Sequence, residues 1–205
     1  VLGYFVHEKV ERFEARPDKA VATPAFFGSF KVLKNHDLSV RAFYKRMFRM
    51  PTFNDLYYTD MGNAFLKPEY AEQFNVGLKY TRNFEKSPFM RMLDVSVDAY
   101  YNKITDKIIA YPKGQQFRWT MLNLGEVEIK GVDAVLNTQF SLGKLEVTTK
   151  FQYTYQEAID VTDPADTYYR DQIPYIPWHS GSAILALFYK GWGLNYSFIY
   201  TGQRY

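Results

Sequence analysis

Between residues 144 and 156 the chain changes character at almost every step. Leu145, Val147, Thr149, Phe151, Tyr153 and Tyr155 fall on one side; Glu146, Thr148, Lys150, Gln152, Thr154 and Gln156 fall on the other. A period of two places successive side chains on opposite faces of an extended chain, so this run predicts a β-strand with one apolar and one polar face. The pattern recurs over residues 91–103, where Leu93, Val95, Val97, Ala99 and Tyr101 oppose Asp94, Ser96, Asp98, Tyr100 and Asn102. It recurs again with Phe74, Val76, Leu78 and Tyr80, and with Leu38, Val40, Ala42 and Tyr44. Further strands are predicted over residues 21–33, 127–140, 178–190 and 192–203. Within 127–140 the phase slips, because Val127 and Ile129 are followed by Val132, Ala134 and Leu136. Gly131 sits at the slip and predicts a bulge there. No helical spacing is sustained over three turns, so the fold class is all-β.

This alternation explains an odd composition. Aromatic residues make up 19% of the 205, yet mean hydropathy is −0.34. Apolar and polar residues are interleaved rather than blocked, and no window nears the ~18 consecutive apolar residues of a membrane-spanning helix. Cysteine is absent, which removes disulfides, thiolate nucleophiles and zinc–thiolate sites. The formal charge of +3 is spread along the chain with no basic stripe, so no nucleic-acid partner is expected. Val1 to Val6 is apolar but too short, and without a basic leader, for a signal peptide. Lacking an initial Met, the chain reads as an excised piece or a mature form.

The connections alternate in length. Short ones lie at residues 34–36, 141–144 and 190–193, with a moderate one at 83–90; long ones lie at 49–70, 105–126 and 157–177. Tight turns on one side and long loops on the other, joining strands of ~10 residues or slightly more, form the pattern of an outer-membrane barrel. Soluble sandwiches also alternate apolar and polar residues, and the loop asymmetry favours the barrel over them. Tyr80, Tyr100, Tyr101, Tyr153, Tyr155, Tyr196 and Tyr200 fall near strand ends, where interfacial aromatic girdles belong. General β-propensity of aromatic rings is the plainer account of the same residues.

The run Phe48-Arg49-Met50-Pro51-Thr52-Phe53-Asn54-Asp55-Leu56-Tyr57-Tyr58 resembles the barrel of TonB-dependent outer-membrane receptors, where a strand ends in Arg-x-Pro-x-x-x-Glu/Asp-Leu-Tyr. Gly62-Asn63-Ala64-Phe65-Leu66-Lys67-Pro68-Glu69 resembles the family's next motif, and the strand from Glu72 its continuation. Four later segments continue the likeness. They are residues 98–108; Asn123-Leu124-Gly125 with Gly131-Val132-Asp133, where Asp replaces the family's Glu; residues 173–179; and residues 200–205. The likeness runs from about Ala22 to Tyr205. Pro51 and Pro68 lack a ladder donor and bracket the first excursion from the sheet.

The resemblance implies an antiparallel up-and-down sheet that is a fragment of a 22-stranded transmembrane β-barrel filled by a plug domain. At ~10 residues per strand such a barrel needs ~220 residues before loops, and about eight strands are legible here. Residues 1–205 are therefore expected to be part of one barrel domain, with the plug and the terminal strands absent. The implied function is active import of a large scarce nutrient, a ferric siderophore, haem, cobalamin or a glycan, across the cell outer membrane. The implied partners are outer-membrane lipid, the nutrient, and TonB acting through the missing plug; the open strand edges predict self-association. The alternative is a complete eight-stranded outer-membrane barrel with a structural or adhesion role.

No catalytic constellation is legible, and no enzyme activity, cofactor or metal is expected. His7, His36 and His179 are isolated, and Glu126 with Glu128, or Asp163 with Asp166, read as solvated charges. Substrate contact belongs on the long loops. The candidates are Arg49, Asn54, Tyr57 and Tyr58 in the first; Phe117, Arg118 and Trp119 in the second; Tyr168, Tyr169 and Arg170 in the third. Arg–aromatic mixtures suit large polar ligands with flat or anionic parts. Each of these residues also has a plainer reading as girdle or loop packing.

Overall fold

A computed structural model describes residues 2–6, 19–33, 37–59, 61–113 and 118–204. Among these, β1 (Leu2–Val6) pairs with β2 (Lys19–Thr23), and Pro24 separates β2 from β3 (Ala25–Leu33). The run predicted as one strand over 21–33 is thus two, because proline has no N–H to give the ladder. The strands that follow are β4 (Asp37–Arg49), β5 (Glu69–Asn83), β6 (Met90–Lys113), β7 (Arg118–Leu142), β8 (Leu145–Asp160), β9 (His179–Tyr189) and β10 (Trp192–Thr201). From β3 to β10 they form one eight-stranded sheet in sequence order, every neighbouring pair antiparallel. Among the described residues β3 and β10 each have a neighbour on one side only, so the sheet is open. That arrangement disagrees with a complete, closed eight-stranded barrel.

The register gives each face its character. One row across the sheet reads Phe30, Val40, Leu78, Val97, Ala134, Tyr153. The adjacent row, pointing the other way, reads Lys31, Ser39, Lys79, Ser96, Val135, Gln152. The first face is apolar and exposed; the second carries charge. Along the charged face Lys79 pairs with Asp94 at 3.5 Å, and Thr154 donates to Asp133 at 2.6 Å. Arg41 Nε donates to Asp98 Oδ1 at 3.0 Å, across the intervening strand β5. It can do so because Gly77 lies between them: a Cβ there would stand 2.1 Å from Asp98 Oδ1.

At its long-loop end the outward face changes. Tyr44, Phe74 and Tyr101 form an aromatic row with Lys130, and the next row is Arg46, Glu72, Lys103 and Glu128. Tyr101 donates to Glu128 at 3.0 Å and Lys103 pairs with Glu126 at 2.8 Å. Rings followed by charges suit the step from hydrocarbon to headgroups. Glu126 and Glu128 are therefore ion-paired residues of this belt and do not face one another as a carboxylate pair.

Two further expectations fail. Residues 105–113 and 118–126 are not loop: β6 and β7, of 24 and 25 residues, continue through them and stay paired as far as Lys113 and Arg118. Gly131 is not a bulge either, since it stands directly opposite Tyr100 on one side and Gln156 on the other in unbroken register. The apolar residues change face there for a different reason. Beyond Gly131 the inward side of the sheet is covered by a loop, so Val127 and Ile129 are buried inward while Glu128 and Lys130 face out.

Candidate functional site

The long-loop rim is where the sheet carries irregular structure. The loop between β4 and β5 starts with a one-turn helix, α1 (Phe53–Tyr57). Thr52 caps it: Thr52 Oγ1 accepts from Asp55 N at 3.2 Å, and Asp55 Oδ2 accepts from Thr52 N at 2.8 Å. Such reciprocal capping satisfies amides that the first turn leaves without partners. Asp55 Oδ2 also accepts from Arg49 Nη2 at 3.2 Å, and Arg49 Nη1 reaches Glu69 Oε2 at 3.5 Å. Glu69 in turn accepts from Ile108 N at 3.1 Å, just beyond the last β5–β6 pair, Tyr70 with Thr105. The carboxylate takes the place that another residue of β5 would have filled. Beneath this chain of contacts Leu56, Leu66 and Ile108 form a buried apolar cluster, with Tyr57 and Met121 against it.

The same loop is tied to the β6–β7 hairpin along its length. Met121 N donates to Met61 O at 2.9 Å, and Asn63 Nδ2 to Met121 O at 3.0 Å. The Asn123 amide pairs with both backbone groups of Lys67, accepting from N at 2.7 Å and donating to O at 3.0 Å. The β8–β9 loop docks beside it. Thr162 Oγ1 accepts from Glu126 N at 2.9 Å and lies over Gly125, where a Cβ would stand 2.2 Å from Thr162 Cγ2. Farther along, Ile173 N donates to Ala158 O at 2.8 Å. Ile173 closes a second apolar cluster over Ala71, Ile104, Val127, Ile129 and Ala158, with Ile176 packed against it. Asp163 and Asp166 accept turn amides of this loop from Ala165 N and Tyr168 N, which is what their spacing serves.

The candidate contact residues are sorted by this geometry. Arg49 is held by two carboxylates, and Tyr57 packs with Phe53, ring centroids 5.0 Å apart. Asn54, on the exposed side of α1, and Tyr58, 59% exposed, belong to the docked first loop. Trp119 lies near the tip of the β6–β7 hairpin, paired with Pro112. Tyr168 is 69% exposed on the third loop; Tyr169 is half-buried, and Arg170 has a positive φ of 67° with its N–H bonded to Asp160 O at 2.7 Å. Arg118 is described as the backbone partner of Lys113. Phe117, like His7 and His36, lies outside the described residues. His179 bonds Tyr153 through Nδ1 at 2.8 Å, and no group of three or more candidate metal ligands occurs among the described residues. Sequence reasoning missed Phe65, 93% exposed, and Tyr175, 68% exposed, which present rings from the first and third loops. Both stand inside motifs read only for their prolines and charges.

Replacing Asp55 by alanine should loosen α1 by about 1–2 kcal/mol, since it removes a cap and the Arg49 contact together. Amide exchange over residues 53–58 should quicken while exchange in the strands stays as before.

An open antiparallel sheet with an exposed apolar face, a charged opposite face, an aromatic belt and loops folded over one rim is the wall of a transmembrane β-barrel. The sequence model of the family "TonB dependent receptor-like, beta-barrel" matches residues 6–205. The chain belongs to that family, and its place is the outer membrane. Curated relatives include two proteins named vitamin B12 transporter BtuB. The one from Photobacterium profundum is 30% identical over 165 residues, covering 77% of this chain and 24% of that protein. The one from Vibrio vulnificus is 32% identical over 99 residues, covering 48% of this chain and 14% of that protein. The chain thus spans a quarter or less of these relatives.

Proposed function

We propose that the chain supplies part of the barrel wall and the extracellular loop platform of a receptor that imports a large scarce nutrient by TonB-coupled transport. Cobalamin is the favoured nutrient among ferric siderophores, haem, cobalamin and glycans. The observation that carries this choice is the alignment with the Photobacterium profundum vitamin B12 transporter over 77% of the chain. The docked loops support the platform role, because binding residues work best on a rim held by a rigid scaffold. In this reading Asn54, Tyr58, Trp119 and Tyr168 meet the nutrient, joined by Phe65 and Tyr175. Arg49, Tyr57 and Arg170 hold the loops. Residues 1–205 form part of one larger barrel domain, and further strands extend the free edges of β3 and β10, which would otherwise pair with a second copy. A plug domain elsewhere in the protein fills the lumen and engages TonB. No bond is made or broken in the substrate.

The full-length protein in outer-membrane vesicles should bind cyanocobalamin saturably, and cells should take it up only while TonB is present. Binding of a ferric siderophore or haem instead would overturn the choice of nutrient, and uptake without TonB would overturn the mechanism.

A further inference from the structure

We infer that Asn123 is a positioning residue that latches the first extracellular loop to the β6–β7 hairpin and thereby fixes the ligand-facing rim; this rests on the receptor reading above. Three observations converge on it. First, its amide makes three hydrogen bonds: from Lys67 N at 2.7 Å, to Lys67 O at 3.0 Å and to Asp106 O at 2.7 Å. The pairing with Lys67 copies a bridge between two strands, made here by a side chain. Second, Asp106 has a positive φ of 54°, a left-handed conformation that aspartate tolerates better than most residues, and Asn123 holds the carbonyl of that residue. Third, Asn123 stands where β5 has ended, opposite Ile108, whose own N–H is taken by Glu69. One amide therefore joins the first loop to both strands of the hairpin at one point.

The residues around it share the task. Asn63 binds Met121, Leu56 and Leu66 pack on Ile108, and two positions on, Gly125 makes room for Thr162 of the third loop. The Asn-Leu-Gly run thus serves both loops. Asn123 does not need to touch the ligand: it sets where α1 and Phe65 stand when the ligand arrives.

The test uses the full-length protein in outer membranes. These 205 residues contain no cysteine, so in a full-length protein whose cysteines elsewhere are replaced by serine, Phe65→Cys gives a single site for a spin label on the first loop. In an Asn123→Ala background the label should become clearly more mobile while the folded barrel keeps its resistance to heat in detergent. In unlabelled protein that keeps Phe65, Asn123→Ala should raise the half-saturating concentration of cyanocobalamin about 10-fold with maximal uptake unchanged, the size expected when one or two net hydrogen bonds are lost. A disulfide between Met61→Cys and Met121→Cys, whose backbones already meet, should restore the affinity when oxidised and lose it again on reduction. A label as immobile in Asn123→Ala as in the parent overturns the latch, and so does a mobile label with unchanged affinity. If the label is freed but the parent never binds cyanocobalamin, the latch stands and the cobalamin reading falls. Should Asn123→Ala fail to insert, Lys67→Pro, which removes the N–H bonded to Asn123, must free the label or the inference is wrong.

Discussion

Gly131→Ala should destabilise the folded barrel by about 3 kcal/mol, near the upper end of what an overpacked site costs. The added methyl would stand 2.3 Å from the Tyr100 ring and 2.7 Å from Tyr155 O. Tyr100 is the direct cross-strand partner of Gly131 and folds over it on the inward face, so the glycine is the seat of the ring. A flexible side chain could turn aside, whereas the Tyr155 carbonyl belongs to the backbone of β8 and can move only if the ladder distorts. The two obstacles can be separated. Tyr100→Ala in the same protein should recover part of the loss, and the remainder measures the clash with Tyr155. Urea unfolding of the full-length protein in lipid vesicles reads both. Full recovery in the double variant would show that the ring alone imposes the glycine.

Gly131 also marks the limit of what the sequence discloses. The eight strands of the sheet and the faces of β4 to β8 follow from alternation, because a two-sided wall imposes that period residue by residue; their up-and-down order is what the resemblance implies. The phase slip at Gly131 is legible too, but its cause is not. It lies in Ile173 and Ile176, more than forty positions away, which fold back over Val127 and Ile129 and turn the inward side apolar. A local reading offers a bulge; the long-range contact removes the need for one. The extension of β6 to Lys113, and of β7 back to Arg118, is hidden similarly. Above the membrane both faces of that hairpin meet either water or a docked loop, so strict alternation lapses although the strands continue. At the rim, motif spacing located the relevant segments and Arg49 within them. It could not show that Arg49 is occupied by Asp55 and Glu69, or that Asn123 pairs with Lys67, because these partners are brought together by loop docking.

Val97→Arg should cost the inserted barrel about 2–4 kcal/mol, whereas Ser96→Arg, one residue away, should change stability by less than about 1 kcal/mol. Val97 lies on the outward face between Leu78 and Ala134, four residues along the strand from the aromatic row at Tyr101. A guanidinium there must enter hydrocarbon near the middle of the apolar band, or drag headgroups and water toward itself. Ser96 points inward, flanked on its own face by Asp94 and by Asp98, which Arg41 already pairs, and a new cation there stays among polar groups in a wet lumen. Lys79, directly across from Ser96, repels that cation, but it is already paired with Asp94 at 3.5 Å. The contrast tests the face assignment without reference to any ligand. Refolding of the full-length protein into vesicles of defined thickness reads it directly, and the penalty at 97 should shrink as the arginine is moved along the outward face toward Tyr101. Equal penalties at 96 and 97 would mean that the sheet does not separate lipid from lumen as its register implies.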